Sequence, residues 1–165
     1  MARKINEIIV HAAATDPKWM SGSTAEAKRD EIDRWHKNNG WSGIGYHAII
    51  DRDGSVALGR SEDKIGAHVK GRNRHSLGVC LIGGKGGKRS QKFSDNFTEA
   101  QDKTLRKMIA DWEKKYPTIT KVSGHNEYSP KDCPCFDTTT WLKTKPVVAK
   151  LSLWQLILKL FRRLT

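Results

Sequence analysis

Glu7-Ile-Ile-Val-His11, followed by Ala12-Ala-Ala14, is a short β-branched run that ends in a histidine. Such a run predicts a buried strand whose C-terminal end opens onto small side chains. That is where an α/β protein carries ligand-bearing residues, so His11 is a candidate metal ligand. Outward from this strand, Ser76 to Ile82 is a second apolar run with Cys80 as a core residue, and Thr118 to Val122 a short third strand that delivers His125 as the first delivers His11. Gly45 to Asp51 and Ser55 to Gly59 flank Arg52-Asp53-Gly54, which predicts a hairpin. Alternation there sends Tyr46 and Ala48 to the side opposite His47, so one of Tyr46 and His47 points to a site and the other into packing.

Helical patterns separate these runs. Thr24 is read as the cap of a helix reaching about Asn39, with Ile32, Trp35 and His36 on one face and Gly40 beyond its end. Thr98-Glu-Ala-Gln101 reads as a capping box. Behind it Leu105, Met108, Ile109, Trp112 and Tyr116 share one face until Pro117, which predicts a core helix packed on a sheet. Asp137 is expected to cap a short helix through Trp141. The fold class is α/β.

Ser123-Gly-His-Asn-Glu-Tyr-Ser-Pro-Lys-Asp-Cys-Pro-Cys-Phe-Asp137 gathers an imidazole, a carboxylate, an ammonium and two thiols. Pro130, Pro134 and Gly124 keep this backbone looped, so the polar groups can converge. His125 offers a neutral nitrogen and Cys133 a thiolate, a pair suited to zinc, and His11 supplies the third ligand a catalytic zinc needs. The loop from Gly66 to His75 is basic, and its Arg and Lys side chains are expected to suit an anionic ligand.

Composition limits the alternatives. With 165 residues and 37% apolar content including six Trp, the chain is one domain with at most a small appendage. Three cysteines, two of them only two residues apart, do not make a disulfide framework. A net charge of +12 predicts attraction to polyanions: nucleic acid, anionic lipid or bacterial wall polymers. A nucleic-acid role rests on that charge alone and is not adopted. Gly83 to Arg89 lacks the ending of a phosphate-binding loop, so no nucleotide site is expected. Met1-Ala-Arg-Lys4 and the short run after it do not make a secretory signal, and synthesis in a cytoplasm is expected.

From Lys150 to Thr165 the sequence changes character, with four cations and no carboxylate. At helical spacing Ser152, Gln155, Lys159, Arg162 and Arg163 share one narrow sector and apolar side chains fill the rest. The expectation is a domain over 1–145, then a linker and cationic amphipathic helix over 146–165. That helix would bind anionic membrane or lipopolysaccharide through Trp154, Lys159, Phe161, Arg162 and Arg163, and is too short and polar to span a bilayer.

In order along the chain, Val10-His-Ala-Ala-Ala-Thr15, Trp35-His-Lys37, Gly45-Tyr-His-Ala-Ile-Ile50, Ala67-His-Val-Lys-Gly71, Ser76 to Gly84 and His125 to Asp137 resemble the zinc-dependent N-acetylmuramoyl-L-alanine amidases of bacteriophages. These belong to the amidase and peptidoglycan-recognition-protein superfamily. The resemblance covers about Ile8 to Trp141. It implies a central mixed β-sheet flanked by helices and one zinc ion per chain on His11, His125 and Cys133. It also implies catalytic roles for Tyr46 and Lys131, and leaves His47 and Glu127 as supporting residues beside the site. His68 would lie near the cleft, and His68 and Asn73 are candidates for substrate contact. Cys135 stands where the resemblance leads one to expect a hydroxyl residue, and is read as a passive neighbour. The implied activity is that of an endolysin, a peptidoglycan hydrolase made in the host cytoplasm and acting on the wall from the periplasm or from outside; a monomer is expected. Two alternatives are a module that binds peptidoglycan without cleaving it and an inhibitor of a phage RNA polymerase.

Overall fold

The computed structural model describes residues 3–146. The amphipathic segment expected beyond Pro146, with Trp154, Lys159, Phe161, Arg162 and Arg163, lies outside the described residues. In chain order the elements are β1 (Glu7–Ala12), α1 (Ala25–Asn38), β2 (Ala48–Ile50), β3 (Val56–Leu58), β4 (Ser76–Leu81), α2 (Phe93–Asn96), α3 (Glu99–Lys115), β5 (Lys121–Gly124) and α4 (Thr138–Lys143). They form one five-stranded sheet in the order β3-β2-β4-β1-β5. Four strands run parallel, and β3 returns antiparallel to β2 as the hairpin partner. The sheet is mixed, as expected.

Both central strands are buried on both faces, which is why they read as unbroken apolar runs. Ile8, Val10 and Ala12 of β1 with Leu77, Val79 and Leu81 of β4 pack against Leu105, Ile109 and Trp112 of α3, Phe136, and Trp141 of α4. Each fully buried aliphatic of this layer contributes roughly 1.5–3 kcal/mol. On the opposite face Ile49, Cys80 and Ile82 meet Ala25 and Ile32 of α1.

The helix ends form where the capping residues predict them. Thr24 Oγ1 accepts from Ala27 N, Thr98 and Gln101 form the reciprocal box, and Asp137 Oδ1 accepts from Thr140 N at 2.6 Å. The four-residue α2 is too short to show a period in sequence.

His11 sits one residue before the end of β1, level with Cys80 of β4 and therefore on the face that carries α1. Because α1 packs over β2 and β3, loops rather than a helix close around His11. This is what turns the C-terminal edge of β1 into a site.

The expected strand from Gly45 starts later, at Ala48, for an identifiable reason. The His47 ring replaces a ladder partner: its Nδ1 accepts from Gly78 N at 2.9 Å, while Tyr46 O is taken by Arg60 N. Gly45 also lies so close to the 66–69 loop that a Cβ on it would meet Ala67 O at 2.1 Å. Strict alternation therefore fails before Ala48. Tyr46 packs with the Ile49 and Cys80 face, not with Ala48.

Candidate metal centre

Adjacent parallel strands bring two imidazoles together. β5 pairs with β1 up to Val10 and Gly124, so His125, the next residue, opens a 3-10 turn (His125–Glu127) beside His11. Their rings lie 4.8 Å apart between centroids. Cys133 arrives from the following loop, where its Sγ accepts from Ala12 N at 3.2 Å and lies 3.9 Å from His11 Nδ1. The three potential ligand atoms all fall within 4.8 Å of one another.

The loop holding Cys133 is braced at several points. Glu127 accepts from Gly124 N at 2.9 Å and pairs with Lys121 Nζ at 2.9 Å. Asn126 donates to Phe136 O, and Asp132 is met by Lys88 and Arg89. Gly124 is required by close approach, because a Cβ there would come within 2.8 Å of Pro134 and Thr138. Glu127 thus steadies the turn that presents His125, and its carboxylate is engaged.

Burial sets the protonation of the donors. His11 is held well below the usual histidine range by desolvation, reinforced by His68, His125 and His36. His125 is lowered by burial and then by the nearby Lys131 charge. Both rings are therefore neutral ligands at pH 7. Burial pushes the Cys133 thiol up to about 12, opposed by the Ala12 N–H and by Lys131. A buried thiol that already accepts an amide proton is suited to releasing its own proton to solvent when a divalent cation binds. A tetrahedral zinc with nitrogen and sulfur donors spaces neighbouring ligands roughly 3.3–3.6 Å apart, and donor atoms already within 4.8 Å of one another reach that spacing by drawing in around the ion. The residues fit zinc.

Tyr46 borders this group, its ring 5.0 Å from His11. Its phenol is held well above the ordinary value by burial and then by Cys80 and Cys133, so it is a neutral O–H donor and not a base. Behind it, His36 Nδ1 accepts from Gly45 N at 2.9 Å and its ring packs against Trp41 and Tyr46. His36 fixes the approach to Tyr46 and touches no ligand atom of the trio. Lys131 is exposed, and after burial its charge is among the influences on the pKa values of His125 and Cys133.

His47 is turned from the trio: Nδ1 is bound to Gly78 N, and Nε2 faces Lys64 O and Arg3. Burial lowers its pKa to about 4. His68 and Asn73, expected to contact substrate, have other partners. His68 is only 8% exposed and its Nδ1 lies 3.1 Å from His11 Nε2. Asn73 Oδ1 accepts from the backbone N–H of His68 and Val69. Both support His11 and its loop, and the substrate-contact reading is not carried further. Cys135 lies outside the trio, its buried thiol donating to Gly84 O at 3.3 Å. Ser76, buried beside His68, had no signal in the sequence beyond its place at a strand start. A cavity of about 460 Å³ lined by Phe93, Phe136 and Trp141 holds none of these residues.

A family model described as N-acetylmuramoyl-L-alanine amidase matches residues 1–136. The endolysin of Escherichia phage T7 is 43% identical over 141 residues, covering 86% of this chain and 87% of that protein. Among solved structures, the endolysin amidase LysCS from Clostridium intestinale superposes with a TM-score of 0.68 at 28% identity over 87% of both chains. Drosophila PGRP-LB gives 0.70 at 22% identity, covering 92% of this chain and 86% of that one, a likeness of fold.

Proposed function

The chain belongs to the N-acetylmuramoyl-L-alanine amidase family and is a peptidoglycan hydrolase, and on that premise we propose that it works through one zinc ion held by His11, His125 and Cys133. The observation that carries this is the convergence of three donors, two imidazoles kept neutral by burial and a thiol in contact with a backbone amide. The bond cleaved joins the lactyl carbonyl of N-acetylmuramic acid to L-alanine. When bound, zinc would polarise that carbonyl and lower the pKa of water towards neutrality.

The chain's own residues supply the rest. Tyr46, neutral and beside His11, donates a hydrogen bond to the reacting carbonyl oxygen. Lys131 provides a fixed positive charge where the tetrahedral oxyanion develops, the kind of stabilisation that counts most in a partly desolvated site. Glu127 and His47 hold their neighbours in place and touch no reacting atom. A donor set complete in all three positions is what cleavage requires and mere binding of peptidoglycan does not.

Product mapping tests the reading. Purified peptidoglycan should yield new alanine amino groups and no new reducing sugar ends. Incubation with a chelator should abolish the release, and one equivalent of zinc should restore it. Reducing ends in place of amines, or activity indifferent to chelation, would overturn it.

The segment from Lys150 to Thr165, with four cations and no carboxylate, is proposed to bind anionic membrane or lipopolysaccharide and bring the enzyme to the wall from the periplasm or from outside. Truncation after Lys145 tests both this role and the boundary of the catalytic domain. The truncated protein should hydrolyse purified peptidoglycan at nearly the full rate and lose killing of intact cells. Equal loss of both activities would refute the assignment.

A further inference from the structure

Behind His11, away from Cys133, runs a chain of buried polar groups that the proposed chemistry does not use. Ser76 Oγ lies 3.0 Å from Arg72 O and 3.4 Å from His68 Nε2, and His68 Nδ1 lies 3.1 Å from His11 Nε2. Ser76 is fully buried and His68 nearly so, so water does not compete for these contacts.

The direction of the chain follows from its last member. A carbonyl oxygen only accepts, so the Ser76 hydroxyl proton points at Arg72 O. Ser76 Oγ must then accept from His68, which places the His68 proton on Nε2. A neutral imidazole has one N–H, so His68 Nδ1 is a lone pair and accepts from His11 Nε2–H. His11 is left with its lone pair on Nδ1, the nitrogen that faces Cys133 Sγ at 3.9 Å. The opposite tautomer would aim a proton at the metal centre.

The protein also builds a slot for the middle ring. A Cβ on Gly66 would come 2.5 Å from His68 Cδ2, and one on Gly78 2.7 Å from the same atom. Asn73 Oδ1 fixes the His68 backbone from the other side.

We propose that Ser76 and His68 form a one-way hydrogen-bond relay, ending on the Arg72 carbonyl, that locks His11 in the Nε2–H tautomer and aims its Nδ1 lone pair at the metal centre. Both are positioning residues, and their purpose rests on the reading of His11, His125 and Cys133 as a zinc site. Outer partners of this kind typically change metal affinity by about 10–100-fold.

The test uses two substitutions of similar shape on the full chain. His68→Asn keeps an acceptor at the Nδ1 position, and His68→Leu removes it. In zinc competition against a chromophoric chelator, His68→Leu should bind about 10–100-fold more weakly and His68→Asn within a few-fold of wild type. In metal-free protein with ¹⁵N-labelled histidine, His11 should carry its proton on Nε2 in the wild type and His68→Asn, and populate both tautomers in His68→Leu. Equal affinities for the Leu and Asn variants, or a wild-type His11 protonated on Nδ1, would overturn the relay. Failure of the wild-type protein to take up zinc would instead overturn the metal reading, and the tautomer measurement would still decide the relay.

Discussion

Cys133→Ala is expected to reduce bound zinc from one per chain to near none and to lower peptidoglycan hydrolysis by on the order of a thousandfold. With zinc bound, the Cys133 thiolate would be the one anionic donor in the trio, since His11 and His125 are neutral rings. Without it two imidazoles must hold a doubly charged ion beside the Lys131 ammonium, in a chain whose net charge is already +12. The substitution also removes the acceptor for Ala12 N, a loss of about 0.5–1.5 kcal/mol that leaves the fold intact and its circular dichroism unchanged. Cys135→Ala is the matched control: its thiol faces Gly84 O, so zinc content should stay at one. A Cys133→Ala protein that retains stoichiometric zinc, or hydrolyses the wall at a near-wild-type rate, would remove the centre from the account.

Much of this site was legible in the chain because its donors sit at element ends that the sequence marks clearly. His11 closes a β-branched run, and His125 and Cys133 occupy a loop punctuated by Gly124, Pro130 and Pro134. Strands β1 and β4 and the capped helix α3 announce the sheet and the layer that covers it. The choice between Tyr46 and His47 was not legible from alternation. It depends on the His47 ring taking the Gly78 N–H in place of a main-chain carbonyl, a long-range contact that leaves no period in sequence. The inward place of His68 was hidden for a related reason. A basic loop reads as solvent-facing, yet Gly66 and Gly78, twelve positions apart, open the slot that draws His68 inside. Ser76 was hidden because a buried serine at the start of a strand looks the same whether or not its hydroxyl orients a histidine.

Lys131→Ala should lower kcat by about a hundredfold or more while leaving KM close to the wild-type value. The substrate amide is neutral in the ground state and acquires its negative oxygen only on the way to the tetrahedral species, so a cation placed for that oxygen acts on the transition state alone. The backbone that carries Lys131 is held on both sides. Arg89 donates to the carbonyls of Pro130 and Lys131 at 2.8 and 2.9 Å, and Asp132 is tied to Lys88 and Arg89, so the backbone on both sides is clamped. Among the described residues the Lys131 ammonium forms no ion pair, leaving its charge available to the site. The same charge depresses the pKa of His125 and repels a metal cation. Lys131→Ala should therefore bind zinc at least as tightly as the wild type, which separates loss of the ion from loss of the charge. A rise in KM at unchanged kcat would mean that Lys131 grips an acidic group of the peptide stem. In that case the oxyanion would have to be met by zinc and Tyr46 without it.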